Sequence, residues 1–127
     1  MKWSLQTEEG HVEHVATAGL LRERLLQLHD QAKHDPLFAV LNSPDGSSLA
    51  IGLGREWSVL SYTATGGWPA RHVHGNDINE GLLNYKFFGH FSEMPARYAV
   101  VFSDALDAAV SFFESGRLSE KLQWEDD

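Results

Sequence analysis

Cysteine is absent from this chain of 127 residues. Without thiols the protein can form no disulfide framework, no thiolate metal site and no cysteine nucleophile. No apolar run approaches the roughly 20 residues that a membrane helix needs. The N-terminal sequence also lacks the basic and apolar regions of a secretory signal. These absences lead us to expect a cytoplasmic protein with no membrane association.

Basic residues are scarce relative to acidic ones. The chain has 10 Lys and Arg against 18 Asp and Glu, which gives a formal charge of -8. Such a charge repels phosphate backbones, so nucleic acid is not expected as a direct ligand and a basic partner is favoured. The alternative is that the acidic surface serves only to keep the protein in solution.

Internal repeats, low-complexity tracts and Pro/Ser-rich linkers are also missing. The hydrophobic fraction of 43% and the charged fraction of 22% are those of an ordinary globular protein. We therefore expect a single domain over residues 1–127, large enough to bury roughly two thirds of its unfolded surface.

The first half of the chain predicts one helix and several strands. Alternating residues predict a short strand over 11–15. Thr17 suits the N-cap of a helix over residues 18–33, in which apolar residues recur at intervals of three and four. Strands are predicted over 37–41, 49–53 and 57–62, and the turn residues 44–47 join the first two as a hairpin.

The second half predicts two further strands and a second helix. Residues 70–81 are polar, with little apolar periodicity, and predict an exposed loop. Strands are predicted over 82–88 and 98–102. Ser103 is expected to cap a helix over 104–115, and Gly116 to end it in a left-handed conformation. The sum is an α+β fold, an antiparallel sheet of about five or six strands with two main helices packed on it.

Two histidines offer the strongest case for chemistry. An extended segment would place His72 and His74 on one side. With Gly66 before them and Glu80 after them, they resemble the metal-binding first motif of cupins, which implies a small metal-binding enzyme. Glu80 comes later than the family spacing, and no second cupin motif follows Pro95. The alternative is that both histidines are solvated in a loop or contact a partner.

Other catalytic patterns are weaker still. The Gly-x-Ser-x-Gly nucleophile motif is absent, and Gly52 and Gly54 form only a fragment of a dinucleotide-binding fingerprint. The residues alone therefore lead us to expect no enzyme and no cofactor.

Several segments occur in an order that is characteristic as a set. They are Leu-Ala-Ile-Gly-Leu-Gly from residue 49, Trp-Ser-Val-Leu-Ser-Tyr from 57, Tyr-Lys-Phe-Phe-Gly-His from 85, Pro95, Ser-Asp-Ala-Leu-Asp-Ala-Ala from 103, Phe-Phe-Glu-Ser-Gly from 112 and Leu-Gln-Trp-Glu from 122. Together they resemble immunity protein family one (Imm1) of bacterial polymorphic toxin systems, over roughly residues 37–125.

The resemblance implies a non-enzymatic cytoplasmic antitoxin that neutralises a cognate toxin domain, often a nucleic-acid deaminase. A deaminase presents basic surface to its nucleic acid, which an acidic inhibitor can occupy. A generic regulatory or scaffold module is the third hypothesis, and homodimerisation is left open.

The partner-binding surface is expected to include the loop over 66–80 and a turn over 90–93. Trp68 and Phe91 lie beside glycine, proline and polar residues and are candidate exposed anchors, since aromatic residues concentrate interface energy. Asp77, Glu80 and Glu93 are candidate mimics of nucleic-acid phosphates, and His72 and His74 complete the candidate set. For each residue the alternative is a solvated loop position.

Overall fold

A computed structural model of the protein describes residues 2–8 and 10–127. The described residues form eleven strands, two α-helices and two short 3-10 turns. In chain order these are β1 (Ser4–Glu8), β2 (His11–His14), α1 (Ala18–Gln31), β3 (Leu37–Asn42), β4 (Ser48–Leu53), β5 (Trp57–Ser58), β6 (Leu60–Thr63), a 3-10 turn (Thr65–Gly67), β7 (Ala70–His74), β8 (Leu82–Phe87), β9 (His90–Pro95), a 3-10 turn (Ala96–Tyr98), β10 (Val100–Val101), α2 (Phe102–Ser115) and β11 (Gln123–Asp126).

Nine of the strands form one sheet. Its main order is β11-β7-β6-β4-β3-β1-β2, while β8 pairs with the start of β3 and β9 pairs with β8. Among the described strands only the β3–β8 contact is parallel, and β10 pairs with β5 as a separate ribbon. The α+β class with a mostly antiparallel sheet is confirmed, but the strands outnumber the five or six expected.

Both faces of the central strands are buried, as the alternation along β3 shows. Ala39 and Leu41 belong to a core cluster that includes the buried faces of both helices. Phe38 and Val40 point the other way, into a second cluster with Tyr85 and its neighbours. Because successive side chains of a strand alternate, one strand supplies both cores. The helices cover one sheet face, and the segment from β8 to β10 contributes to covering the other.

Helix α1 is close to its prediction. The Thr17 hydroxyl accepts a hydrogen bond from the Leu20 amide at 3.1 Å, which confirms the N-cap. Leu21, Leu25 and Leu28 are buried, as their spacing predicts. The helix ends at Gln31, two residues before the predicted end.

Helix α2 differs from its prediction at its start. It begins at Phe102 after Val101, so Ser103 lies inside the first turn and the predicted Ser103 cap is wrong. Gly116 adopts a φ of 73° and ends the helix, as predicted. The predicted strand over 98–102 reduces to two residues, because a 3-10 turn occupies Ala96–Tyr98.

Two predicted loop regions are strands. Residues 70–74 form β7 between β6 and β11, so the expectation of an exposed loop over 70–81 is wrong for this part. The strand has one apolar anchor, Val73, which is fully buried. Residues 90–93 are not a turn but part of β9. The turn is at Phe88 and Gly89, whose φ values of 50° and 85° identify a type I′ hairpin.

Gly52 illustrates how the second cluster is packed. A Cβ at this position would lie 2.6 Å from two ring carbons of Tyr85. That ring is 1% exposed, and its hydroxyl donates to the Trp57 carbonyl at 2.8 Å. The sheet therefore needs glycine here so that the ring can lie against the backbone.

We expect Gly52→Ala to lower the free energy of unfolding by about 1–3 kcal/mol, because the new methyl group would displace a buried ring whose hydroxyl is hydrogen-bonded. Gly19→Ala is the control, since nothing lies within 4 Å of the place that its new methyl group would take on α1 and alanine favours helix. Urea denaturation measures both variants. Equal stability of the two would contradict this account of Gly52.

Candidate partner-binding surface

A cluster of histidines and carboxylates joins β7 to β11. His72 and His74 share one face of β7, as predicted for an extended segment. The Nδ1 atom of His72 lies 2.7 Å from a carboxylate oxygen of Asp127, and Nδ1 of His74 is hydrogen-bonded to Glu125. The Nε2 atom of His74 lies 3.2 Å from a carboxylate oxygen of Asp77. The contacts of His72 and His74 with these carboxylates stabilise the pairing of the edge strand β11 with β7.

His72 is a buried residue and not a solvated one. Its exposed fraction is 8%, and its ring stacks on Tyr98 with 3.9 Å between centroids. A carboxylate only accepts hydrogen bonds, so His72 donates from Nδ1 to Asp127. A Cβ on Gly75 would lie 1.9 Å from the Ala99 carbonyl oxygen, which shows how closely the end of β7 approaches the chain after Tyr98.

The cupin-like metal site is not assembled. Throughout residues 2–8 and 10–127, no group of three or more His, Asp and Glu residues has an arrangement that could hold a metal ion. Glu80 lies with Trp57 and Leu83 in a separate recess of about 220 Å³. The Nδ1 atoms of both histidines are instead engaged by the carboxylates of β11 and the residue after it. We therefore assign the pair to the attachment of β11.

The attachment of β11 is expected to depend on pH through His74. The hydrogen bond to Glu125 and, secondarily, the charges of Glu125 and Asp77 raise the pKa of His74 above its ordinary value. A histidine with a raised pKa stabilises the fold fully below its unfolded value near 6.5, and this contribution is lost as the pH rises through the folded pKa.

We therefore expect the His74 ring to titrate above pH 6.5 in an NMR titration and the amides of β11 to exchange faster at pH 8 than intrinsic rates explain. Glu125→Gln should move the titration of His74 back toward the ordinary value. A wild-type His74 that titrates at or below about 6.5 would contradict the role of the carboxylates.

The candidate anchors Trp68 and Phe91 are both exposed, as predicted, but they lie in separate parts of the fold, one before β7 and one in β9. Trp68 is 72% exposed and Phe91 80%. Trp68 precedes the start of β7, whereas His74 and Asp77 lie at its other end. Phe91 lies opposite Lys86 in the β8–β9 hairpin, on the face that points away from Tyr85.

The three candidate acidic residues are all exposed. Asp77 contacts His74, Glu80 lines the recess beside Trp57, and Glu93 lies opposite Asn84 in the hairpin. All three belong to the chain between β7 and β10, which lies away from the helices. The structure thus distributes the candidates over one layer without gathering them into one pocket.

One known protein family matches nearly the whole chain. The family model described as Immunity protein Imm1 matches residues 9–126. This chain belongs to the Imm1 family. No curated protein matches it.

Membership supports an immunity, or antitoxin, role and implies a cognate toxin as the binding partner of this Imm1 protein. The Imm1 match confirms the resemblance inferred from the order of segments, and it includes β2 and α1, where that order carried little signal. Of the helices within the described part of this Imm1 chain, none is long and apolar enough to cross a membrane.

Sequence reasoning missed two sets of residues in this Imm1 protein. Ile78 and Leu82 are exposed apolar residues in the same layer as the acidic candidates. Glu125 and Asp127 contact the histidine face of β7, whereas Asp126 lies on the other face and pairs with Arg71. The alternation of Leu122, Trp124 and the intervening polar residues was the available signal for β11, because Trp124 packs against the main core.

Proposed function

We propose that this Imm1 protein is a non-enzymatic antitoxin that binds the domain of a cognate polymorphic toxin in the cytoplasm. The toxin that we favour is a nucleic-acid deaminase, and neutralisation occurs by covering its substrate-binding or active-site surface. The observation that carries the proposal is the family match over residues 9–126.

The charge of the chain supports a basic target. A toxin domain that acts on nucleic acid needs positive surface for the phosphate backbone. A protein with a formal charge of -8 is attracted to such a surface and competes with the nucleic acid for it. The sign of the charge therefore supports a basic toxin domain as the partner of this antitoxin.

We further propose that the contact surface lies in the layer opposite the helices. Asp77, Glu80 and Glu93 are exposed there and would pair with basic toxin residues in place of phosphates. Phe91 extends from the same layer and would supply buried apolar area. Trp68 would contact the toxin from the loop before β7, as a second anchor outside that layer.

The test uses the toxin domain encoded by the neighbouring gene. Co-expression should give a stoichiometric complex that copurifies, and the purified antitoxin should abolish deamination of single-stranded DNA, duplex DNA or RNA at a one-to-one ratio. The antitoxin alone should leave each nucleic acid unchanged. A toxin domain that is inhibited but does not deaminate would reject the deaminase and keep the antitoxin role. A failure to bind or protect would reject the antitoxin role.

A further inference from the structure

Strand β9 is an open edge of the sheet. It pairs with β8 over six residues, from Phe87↔His90 to Leu82↔Pro95, without a register shift. Within the part of the chain that the structure describes, β8 is its only partner. An edge strand exposes a row of peptide groups that can pair with another strand.

The hairpin geometry identifies which peptide groups point outward. A two-residue type I′ turn closes with the hydrogen-bonded pair Phe87–His90, and hydrogen-bonded pairs then alternate with non-bonded ones. Lys86 and Phe91 therefore form a non-bonded pair. In agreement, the Lys86 amide donates away from β9, to the Pro36 carbonyl at 2.9 Å.

The same alternation applies at the next non-bonded pair, Asn84–Glu93. The Asn84 carbonyl faces away from β9 and accepts two hydrogen bonds from Arg55. It follows that the amide and carbonyl groups of Phe91 and Glu93 face away from β8. Among the described residues β9 pairs with β8 alone, and neither residue's backbone bonds to a loop or turn, so these outward groups are unpaired.

The other open edges of the sheet are less suited to pairing. Strand β2 has four residues, and its pairing with β1 contains a register shift between Leu5 and Glu8. Strand β11 carries consecutive acidic residues, and charged side chains discourage edge pairing. Strand β9 alone among these edges combines six regular residues with a large exposed aromatic side chain, that of Phe91.

We propose that the free edge of β9 receives an extended segment of the toxin, which adds a strand to the sheet through the backbone of Phe91 and Glu93. This inference rests on the antitoxin role proposed above and specifies how the complex is made. Backbone hydrogen bonds supply affinity in this mode of binding, and alternate side chains supply specificity.

The side chains beside the edge define the chemistry of that segment. Phe91 and Glu93 are both exposed on the outer face of the hairpin, where they flank the incoming strand. An apolar residue next to Phe91 and a lysine or arginine next to Glu93 would complement them, because opposite charges on neighbouring strands attract. The toxin segment is thus an extended strand that presents an apolar and a basic residue on one face.

A second copy of this chain is a less suitable occupant. Two molecules that each carry a formal charge of -8 repel one another. A basic toxin domain is attracted instead, and the same edge then pairs with a strand of opposite charge. The proposal therefore assigns the edge to the toxin.

The first test compares Glu93→Pro with Glu93→Ala. Both variants remove the carboxylate, but only proline removes the outward amide, and proline is tolerated at sheet edges because that amide makes no bond within the hairpin. We expect Glu93→Pro to bind the toxin domain about tenfold or more weakly than Glu93→Ala in titration calorimetry. Thermal unfolding establishes that both variants are folded. Equal affinities of the two folded variants would overturn the proposal.

The second test needs no substitution. In NMR hydrogen exchange the amides of Phe91 and Glu93 should exchange fast in the free protein and slowly in the complex. The amide of Ser92, which is bonded to β8, should be protected in both states and serves as the internal control. A wild-type complex in which Phe91 and Glu93 still exchange fast would overturn the strand assignment while leaving the antitoxin role intact.

The third measurement addresses self-association. Light scattering of the antitoxin alone should give a monomer. A dimer that Glu93→Pro dissociates and Glu93→Ala does not would assign the edge to a second copy and overturn its assignment to the toxin. Absence of any complex between the wild-type protein and the toxin domain would instead reject the proposed function on which this inference rests.

Discussion

Phe112→Ala is expected to lower the free energy of unfolding by about 3–5 kcal/mol, the usual cost of removing a buried phenyl ring. Phe112 is 0% exposed. Its ring makes edge contacts with Trp3 at 5.3 Å and with Tyr62 at 5.9 Å between centroids. One side chain thus connects α2 to the N-terminal segment and to β6, so its loss leaves a cavity where three parts of the fold meet.

The expected loss is large because a whole domain is stable by only about 5–15 kcal/mol. Urea denaturation followed by tryptophan fluorescence measures it, since Trp3 lies against the ring. Phe112→Leu is the matched control and should cost roughly 1.5 kcal/mol or less, because most of the volume is kept. A loss below about 1 kcal/mol for alanine would show that Phe112 does not connect these elements as described.

Elements with strong local periodicity were predictable from the sequence. Helix α1 has a leucine face at intervals of three and four and a threonine cap. Strands β3 and β4 are joined by turn residues that favour a hairpin. In these segments the local preference and the tertiary environment agree, and local reasoning is then sufficient.

Strands with few apolar residues were not predictable in the same way. Strand β7 contains Ala-Arg-His-Val-His, a pattern that alone indicates a polar loop. It is a strand because β6 and β11 pair with it on both sides, and β11 lies about fifty residues later in the chain. The Ser103 cap was not predictable correctly for a related reason. The amide of Phe102, the first residue of α2, donates to the carbonyl of Glu56, which is distant in sequence.

The candidate partner-binding residues show the same difference between local and long-range prediction. The exposure of Trp68 and Phe91 followed from their immediate neighbours, glycine, proline and polar residues. The contacts of His72 and His74 did not, because their partners Asp127 and Glu125 come from a distant strand. Residue types close together in sequence predict exposure, whereas contacts between strands depend on the register that the whole sheet adopts.

Reversal of the three candidate acidic residues to lysine should have the largest effect on function. Asp77, Glu80 and Glu93 are exposed in one layer, and each reversal adds two positive charges, so the formal charge changes from -8 to -2. We expect association with the toxin domain to slow by about ten- to a hundredfold at low ionic strength, because electrostatic steering acts mainly on the association rate.

The matched control reverses Glu23, Glu114 and Glu120, which are exposed on or beside the helices and produce the same net charge. Stopped-flow association at several salt concentrations separates the two variants. If the proposed layer contacts the toxin, the control variant keeps most of the wild-type association rate and its salt dependence. The variant reversed at Asp77, Glu80 and Glu93 then loses both. Equal slowing of the two variants would assign the effect to net charge. Thermal unfolding establishes that the first variant is folded. If it then binds and protects as the wild type does, the contact surface lies elsewhere. A charge that faces the toxin cannot be reversed without changing the rate at which the two proteins meet.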